Sequence, residues 1–170
     1  MADFALTNTE PVHGMPYPAK TSTAVGIVDG VPTEAEVTYF CDKILVLVSQ
    51  GGRLAQWIQV PLSAPSAASI DTALAPGLSI GDPATSLLPS THLTPRTLFG
   101  AGGEERETFG QLVAAQIGSL LALRDSSESR TLIMGLGLTQ QPSGGSAAGS
   151  KVAQAQSIYF DIVDLVQKAL

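Results

Sequence analysis

The sequence predicts an α+β domain built on a mainly antiparallel sheet, and three observations carry that expectation. Short apolar stretches, alternating or unbroken, recur between residues 21 and 60 and again near 97 and 131. Two segments late in the chain instead repeat apolar residues at helical spacing. Asp-Gly and Gly-Gly pairs separate the early stretches, as tight turns between neighbouring strands require. Four or five strands followed by two late helices read as α+β.

Residues 1–20 hold Pro11, Pro16 and Pro18 without any period and read as a flexible arm, leaving 21–170 as one domain. Thr21–Val28 reads as a short strand ended by Asp29-Gly30. Glu34–Cys41 alternates, with Ala35, Val37, Tyr39 and Cys41 on one side and Glu36, Thr38 and Phe40 on the other. Lys43–Gln50 and Leu54–Val60 flank Gly51-Gly52, where glycine tolerates the positive φ of a two-residue hairpin turn. Residues 61–95 carry six prolines among Ser, Ala and Thr and read as a long excursion from the fold.

Thr97–Gly100 reads as a short strand. Glu104–Leu123 reads as a helix, with acids in its first turn and Phe109, Leu112, Val113, Ile117, Leu120 and Leu121 on one stripe. Thr131–Leu138 is a second apolar strand, and Gln141–Ser150 a Gly/Ser linker. Val152–Leu170 closes the chain as an amphipathic helix, with Ala155, Ile158, Tyr159, Ile162, Val166 and Leu170 on its stripe.

The strand at Lys43–Gln50 poses the main physical question. Ile44, Leu45, Val46, Leu47 and Val48 run without a break, so both of its faces are apolar. A strand solvated on one side alternates, whereas one buried on both sides does not. The chain has 170 residues, of which 44% are hydrophobic and only 14% charged, against roughly a quarter charged in an average soluble domain. A buried interface accounts for this scarcity, and so do the Ala/Ser/Pro/Gly tracts.

Net charge is −6 and no Lys/Arg cluster occurs, which argues against nucleic-acid binding. The longest apolar run falls far short of the ~20 residues of a membrane span, and the first residues lack the basic start and apolar core of a signal peptide. Cys41 is the single cysteine and can form no internal disulfide. These features place the chain in the cytosol or nucleus.

Chemistry is thinly represented. His13 and His92 both lie in Pro-rich segments that offer nothing to hold a general base in place. Cys41 reads as a small buried hydrophobe rather than a nucleophile. No cluster has metal-ligand spacing. In GGSAAGSKV (144–152), Gly144 and Gly149 have phosphate-loop spacing, but Ser150 stands where the lysine belongs. MGLGLTQQ lacks the third glycine of a dinucleotide fingerprint, and FGAGGEE is most simply a loop entering a helix. No catalytic, cofactor or metal site is expected, and the chain does not read as an enzyme.

The stretch GVPTEAEVTYFCDKILVLVSQGGRLAQWIQV resembles the N-terminal half of the proteasome assembly chaperone 3 family. The matching features are Gly30-Val31-Pro32-Thr33, a strand, Ile44 to Val48, Ser49-Gln50, and Gly52-Arg53. The second half agrees in order: a strand ending in Leu98-Phe99-Gly100, an apolar helix, the strand Leu132–Leu138 and a C-terminal helix. The resemblance covers about residues 22–60 and 97–170; the arm, the 61–95 excursion and the 141–150 linker are longer than the family pattern.

This resemblance implies a non-enzymatic chaperone that promotes formation of the 20S proteasome alpha ring. Its partners would be a proteasome assembly chaperone 4-like subunit and proteasome alpha-type subunits. It also implies two helices packed on one face of the sheet, with the other face used for dimerisation. The alternative, resting on architecture alone, is a small dimerising scaffold subunit of a trafficking or GTPase-regulating platform. If Gly51-Gly52 makes a two-residue hairpin, Ile44, Val46, Val48, Ala55, Trp57 and Gln59 share a face, and Leu45, Leu47, Leu54, Gln56 and Ile58 the other. Ile44, Val46, Val48 and Trp57 are then the candidate partner-facing residues, because Trp is enriched at interfaces. A Trp equally anchors an internal core, which leaves the opposite phase open.

Overall fold

The computed structural model describes residues 19–63, 93–100, 102–139 and 148–170. They form β1 (Lys20–Val28), β2 (Val31–Tyr39), β3 (Lys43–Gln50), β4 (Gln56–Pro61), β5 (Arg96–Phe99), α1 (Glu104–Arg124), β6 (Thr131–Gly137) and α2 (Ala148–Ala169). The strands make one six-stranded sheet in the order β1-β2-β3-β6-β4-β5, antiparallel throughout except for β3 and β6. This is the α+β class expected from the sequence. Most of the 1–20 arm, the 61–95 excursion and the 141–150 linker lie outside the described residues, as do both histidines. The helix takes over the end of the linker, from Ala148.

β1 and β2 turn through Asp29 (φ 52) and Gly30 (φ 74), a left-handed pair. Gly51 and Gly52 (φ 62 and 70) make the second such turn. The hairpin expected around it does not continue, however. Beyond the single bridge from Gln50 to Arg53, β3 and β4 part, and β6 lies between them. The backbone of Arg53 passes so close over β6 that a Cβ on Gly137 would lie 1.7 Å from the Arg53 carbonyl oxygen. The Ala55 N–H then donates to the Leu136 carbonyl at 3.1 Å, which starts β4 on the far side of β6.

Both helices cover the same face. α1 lies over β4, where Cβ atoms on Gly110 and Gly118 would meet Gln56 and Val60, while Leu165 of α2 approaches Gly26 of β1. Beneath them Ile44, Val46, Val48, Ile58, Val60, Leu132, Met134 and Leu136 are wholly buried. They meet Val113, Ile117, Leu121, Ile162 and Val166 of the helices in one core. Leu112, expected on the buried stripe of α1, is instead exposed. Leu62 and Leu93, at the two ends of the 61–95 segment, belong to this core.

Cys41 corrects another expectation. β2 ends at Tyr39, the Phe40 N–H turns back to the Lys43 carbonyl, and Cys41 is exposed on that turn. Across the turn Arg130 donates to both carboxylate oxygens of Glu128 and to the Phe40 carbonyl, with its guanidinium 5.4 Å from the Tyr39 ring centre. Hydrogen bonding to Arg130 holds the Glu128 carboxyl below its ordinary range. This clamp is therefore complete above the ordinary carboxylate pKa and is lost as pH falls through the lowered one.

Two buried glutamines are in opposite situations. The Gln50 amide donates to the Val28 carbonyl (3.3 Å) and Thr33 Oγ1 (3.0 Å), and its oxygen accepts from the N–H and hydroxyl of Thr139 (2.7 and 2.5 Å). The Gln56 amide, fully buried against Gly110, has no hydrogen-bond partner among the described residues. Gln56→Met removes an unsatisfied group at similar volume and should raise stability by about 1 kcal/mol, or Tm by about 2–4 °C. Gln50→Leu should cost about 2–3 kcal/mol by orphaning its partners. Denaturant titration of the two variants checks for opposite signs.

Gly135 and Gly137 provide a second pair. A Cβ on Gly135 meets the flexible end of Leu47 at 2.8 Å, whereas on Gly137 it meets rigid backbone. Thermal melts should show Gly137→Ala destabilised by at least about 2 kcal/mol and Gly135→Ala by less than about 1 kcal/mol.

Candidate functional site

The strand registers fix what the uncovered face of the sheet displays. One row crosses all six strands: Thr23, Glu36, Leu47, Gly135, Trp57 and Phe99. The next row is Thr21, Thr38, Leu45, Ile133, Gln59 and Arg96. On the other side of the first row stand Val25, Glu34, Ser49 and Gly137. No helix of the described residues lies on this face. Leu45, Leu47, Trp57 and Ile133 are half-buried, while Val25 and Phe99 are 74% and 73% exposed.

Gly135 creates the centre of this surface. With no side chain there, Leu47, Leu54 and Trp57 converge over β6, and Cβ at that position would lie 2.8, 3.4 and 3.4 Å from them. The result is a low apolar mound of three side chains in the middle of the sheet. Its flank toward β2 is a shallow recess lined by Glu34, Glu36, Leu47, Ser49, Gly52 and Leu54. Thr38 is pinned within the same flank, sharing a hydrogen bond with the Thr21 hydroxyl (3.0 Å) and donating to Glu36 (3.3 Å).

The four candidate residues from the sequence do not lie together. Ile44, Val46 and Val48 are 0% exposed beneath the helices and are not available to a partner, and Trp57 stands on the opposite, open face. The physical reason is the inserted strand. β4 is aligned with β3 through β6 rather than through a two-residue turn, and its phase shifts by one residue, which moves every side chain to the other face. Gln56 and Ile58 go to the helices, and Gln59 stays with Trp57. The leucines expected under the helices, Leu45, Leu47 and Leu54, are the ones left outside.

Ile133, Glu34 and Glu36 are parts of this surface that the sequence did not single out. One signal for it was present: the alternating glycines of β6, which mark where neighbours crowd one face of a strand. Among the described residues no three His, Cys, Asp or Glu side chains gather as a metal site requires. What the fold presents on this side is an extended apolar surface with a charged flank.

No family model matches the chain, and no curated protein does. Among solved structures, one chain of a chaperone complex for yeast 20S proteasome assembly is similar, with a TM-score of 0.43 and 12% sequence identity. The match covers 86% of this chain and 98% of that one.

Proposed function

We propose that this chain is a non-enzymatic chaperone promoting assembly of the 20S proteasome alpha ring, working as a dimer with a related chaperone subunit. The observation that carries the reading is the open face. Leu45, Leu47, Leu54, Trp57 and Ile133 form a continuous apolar surface on a sheet whose other side is closed by the chain's own helices. Monomeric soluble domains rarely leave such a surface in water, and two sheets stacked through their apolar faces form a core about 10 Å thick. The ordered sequence features from Gly30 to Arg53 support a subunit related to proteasome assembly chaperone 4 as the covering partner. They also support alpha-type proteasome subunits as the clients.

Affinity purification of the tagged full chain, with mass spectrometry of what accompanies it, tests the reading. Alpha-type subunits and one small related subunit are expected. GTPases or coat components in their place would overturn it in favour of a scaffold. At residue level, Trp57→Ala should weaken pairing by ~2 kcal/mol or more, the loss of an interface hot spot, while the variant alone stays folded because Trp57 lies outside the helix-covered core. Sedimentation and circular dichroism on the same samples separate those effects.

A further inference from the structure

We infer that the partner covering the open face brings a lysine or arginine into the recess between Glu34, Glu36, Leu47 and Leu54; this rests on the reading of that face as a subunit interface. Each of the two glutamates of β2 has one apolar neighbour on the open face. Val25 stands opposite Glu34 on β1, and Leu47 opposite Glu36 on β3. A sheet laid over those apolar neighbours, about 10 Å away, takes both carboxylates out of water with them. Neither forms an ion pair among the described residues, and the Thr38 hydroxyl is the only hydrogen bond Glu36 receives there. Burying two unneutralised carboxylates costs more than the surrounding apolar contacts return.

The chain's own cations do not meet this need. Lys43, on the same face, is paired with Asp42. Arg96 is four strands from β2, about 19 Å at ordinary strand spacing. Arg53, on the turn beside the recess, makes no ion pair among the described residues and is the intramolecular rival. The shape of the recess favours a long basic side chain from outside. Leu47 and Leu54 offer an aliphatic floor for the methylenes of lysine or arginine, and the two carboxylates stand where the charged head ends. The partner is thus a sheet face that is apolar at its centre and cationic over β2.

The test uses the complex of the full chain with the chaperone 4-like subunit, with the dissociation constant measured from low to high NaCl. Glu34→Gln/Glu36→Gln should weaken binding at least about tenfold at low salt and flatten the salt dependence. Glu34→Lys/Glu36→Lys should weaken it at least about a hundredfold, by setting like charges together. Trp57→Ala should weaken binding and leave the salt slope unchanged. If Trp57→Ala weakens binding while the double glutamine variant matches the parent in affinity and slope, no partner cation enters the recess. If Arg53→Ala reproduces the double glutamine variant, the cation belongs to this chain, and the inference is overturned. If neither Trp57→Ala nor the glutamine variant changes binding, the open face is not the interface, and the reading beneath the inference fails instead.

Discussion

The sheet depends on one close contact, where the backbone of Arg53 crosses β6 at Gly137. The two main chains come too near for any side chain there, and the crossing carries β4 to the far side of β6. β6 thereby becomes a central strand, with Leu132, Met134 and Leu136 under the helices and Ile133 and Gly135 on the open face. A direct hairpin of β3 with β4 would have set Trp57 beside Val46 on the helix side. Which face holds the single tryptophan is thus decided by a glycine eighty residues further along the chain.

Both ends of the parallel β3–β6 pair are fixed by polar groups. At the start, Arg130 grips Glu128 and the Phe40 carbonyl, and the Thr131 N–H reaches the Asp42 carbonyl at 3.3 Å. At the finish, Gln50 joins the ends of β1, β2 and β3 to Thr139, just after β6. Hydrophobic burial is non-directional and would tolerate a slipped register; these hydrogen bonds would not. In a chain with few charges, the amides and one arginine set the alignment that packing alone leaves loose.

The elements themselves were largely legible in the sequence. Turns at Asp29-Gly30 and Gly51-Gly52 follow from local backbone preference, α1 and α2 from hydrophobic period, and β6 from its apolar run. The alternation of β2 runs on in the sequence to Cys41, two residues past the end of the strand, so the pattern alone puts inside a side chain that the turn exposes. The larger difference was the pairing of β3 with β4. Nothing between Lys43 and Val60 reveals that another strand will enter the turn, because the information lies in Gly135 and Gly137, whose lack of side chains has meaning only once the crossing segment is known. The unbroken run from Ile44 to Val48 did state that both faces of β3 are apolar. It could not state which set of side chains the helices would take.

The place of β6 in the sheet also sets the order in which the molecule can be completed. The central strand is the last strand to be synthesised, and the helix over β1 and β2 comes after it. While the intervening residues emerge from the ribosome, β1, β2 and β3 can form a meander, but β3 keeps an open edge and two apolar faces in water. β4, which belongs on the far side of the missing strand, has no partner on the β6 side at all. A nascent chain stopped before Thr131 therefore holds an unfinished sheet rather than a smaller stable one. Folding is deferred until β6 and the helix after it have left the ribosome, and a protein proposed to protect the assembly of others must itself be kept from aggregating during that interval.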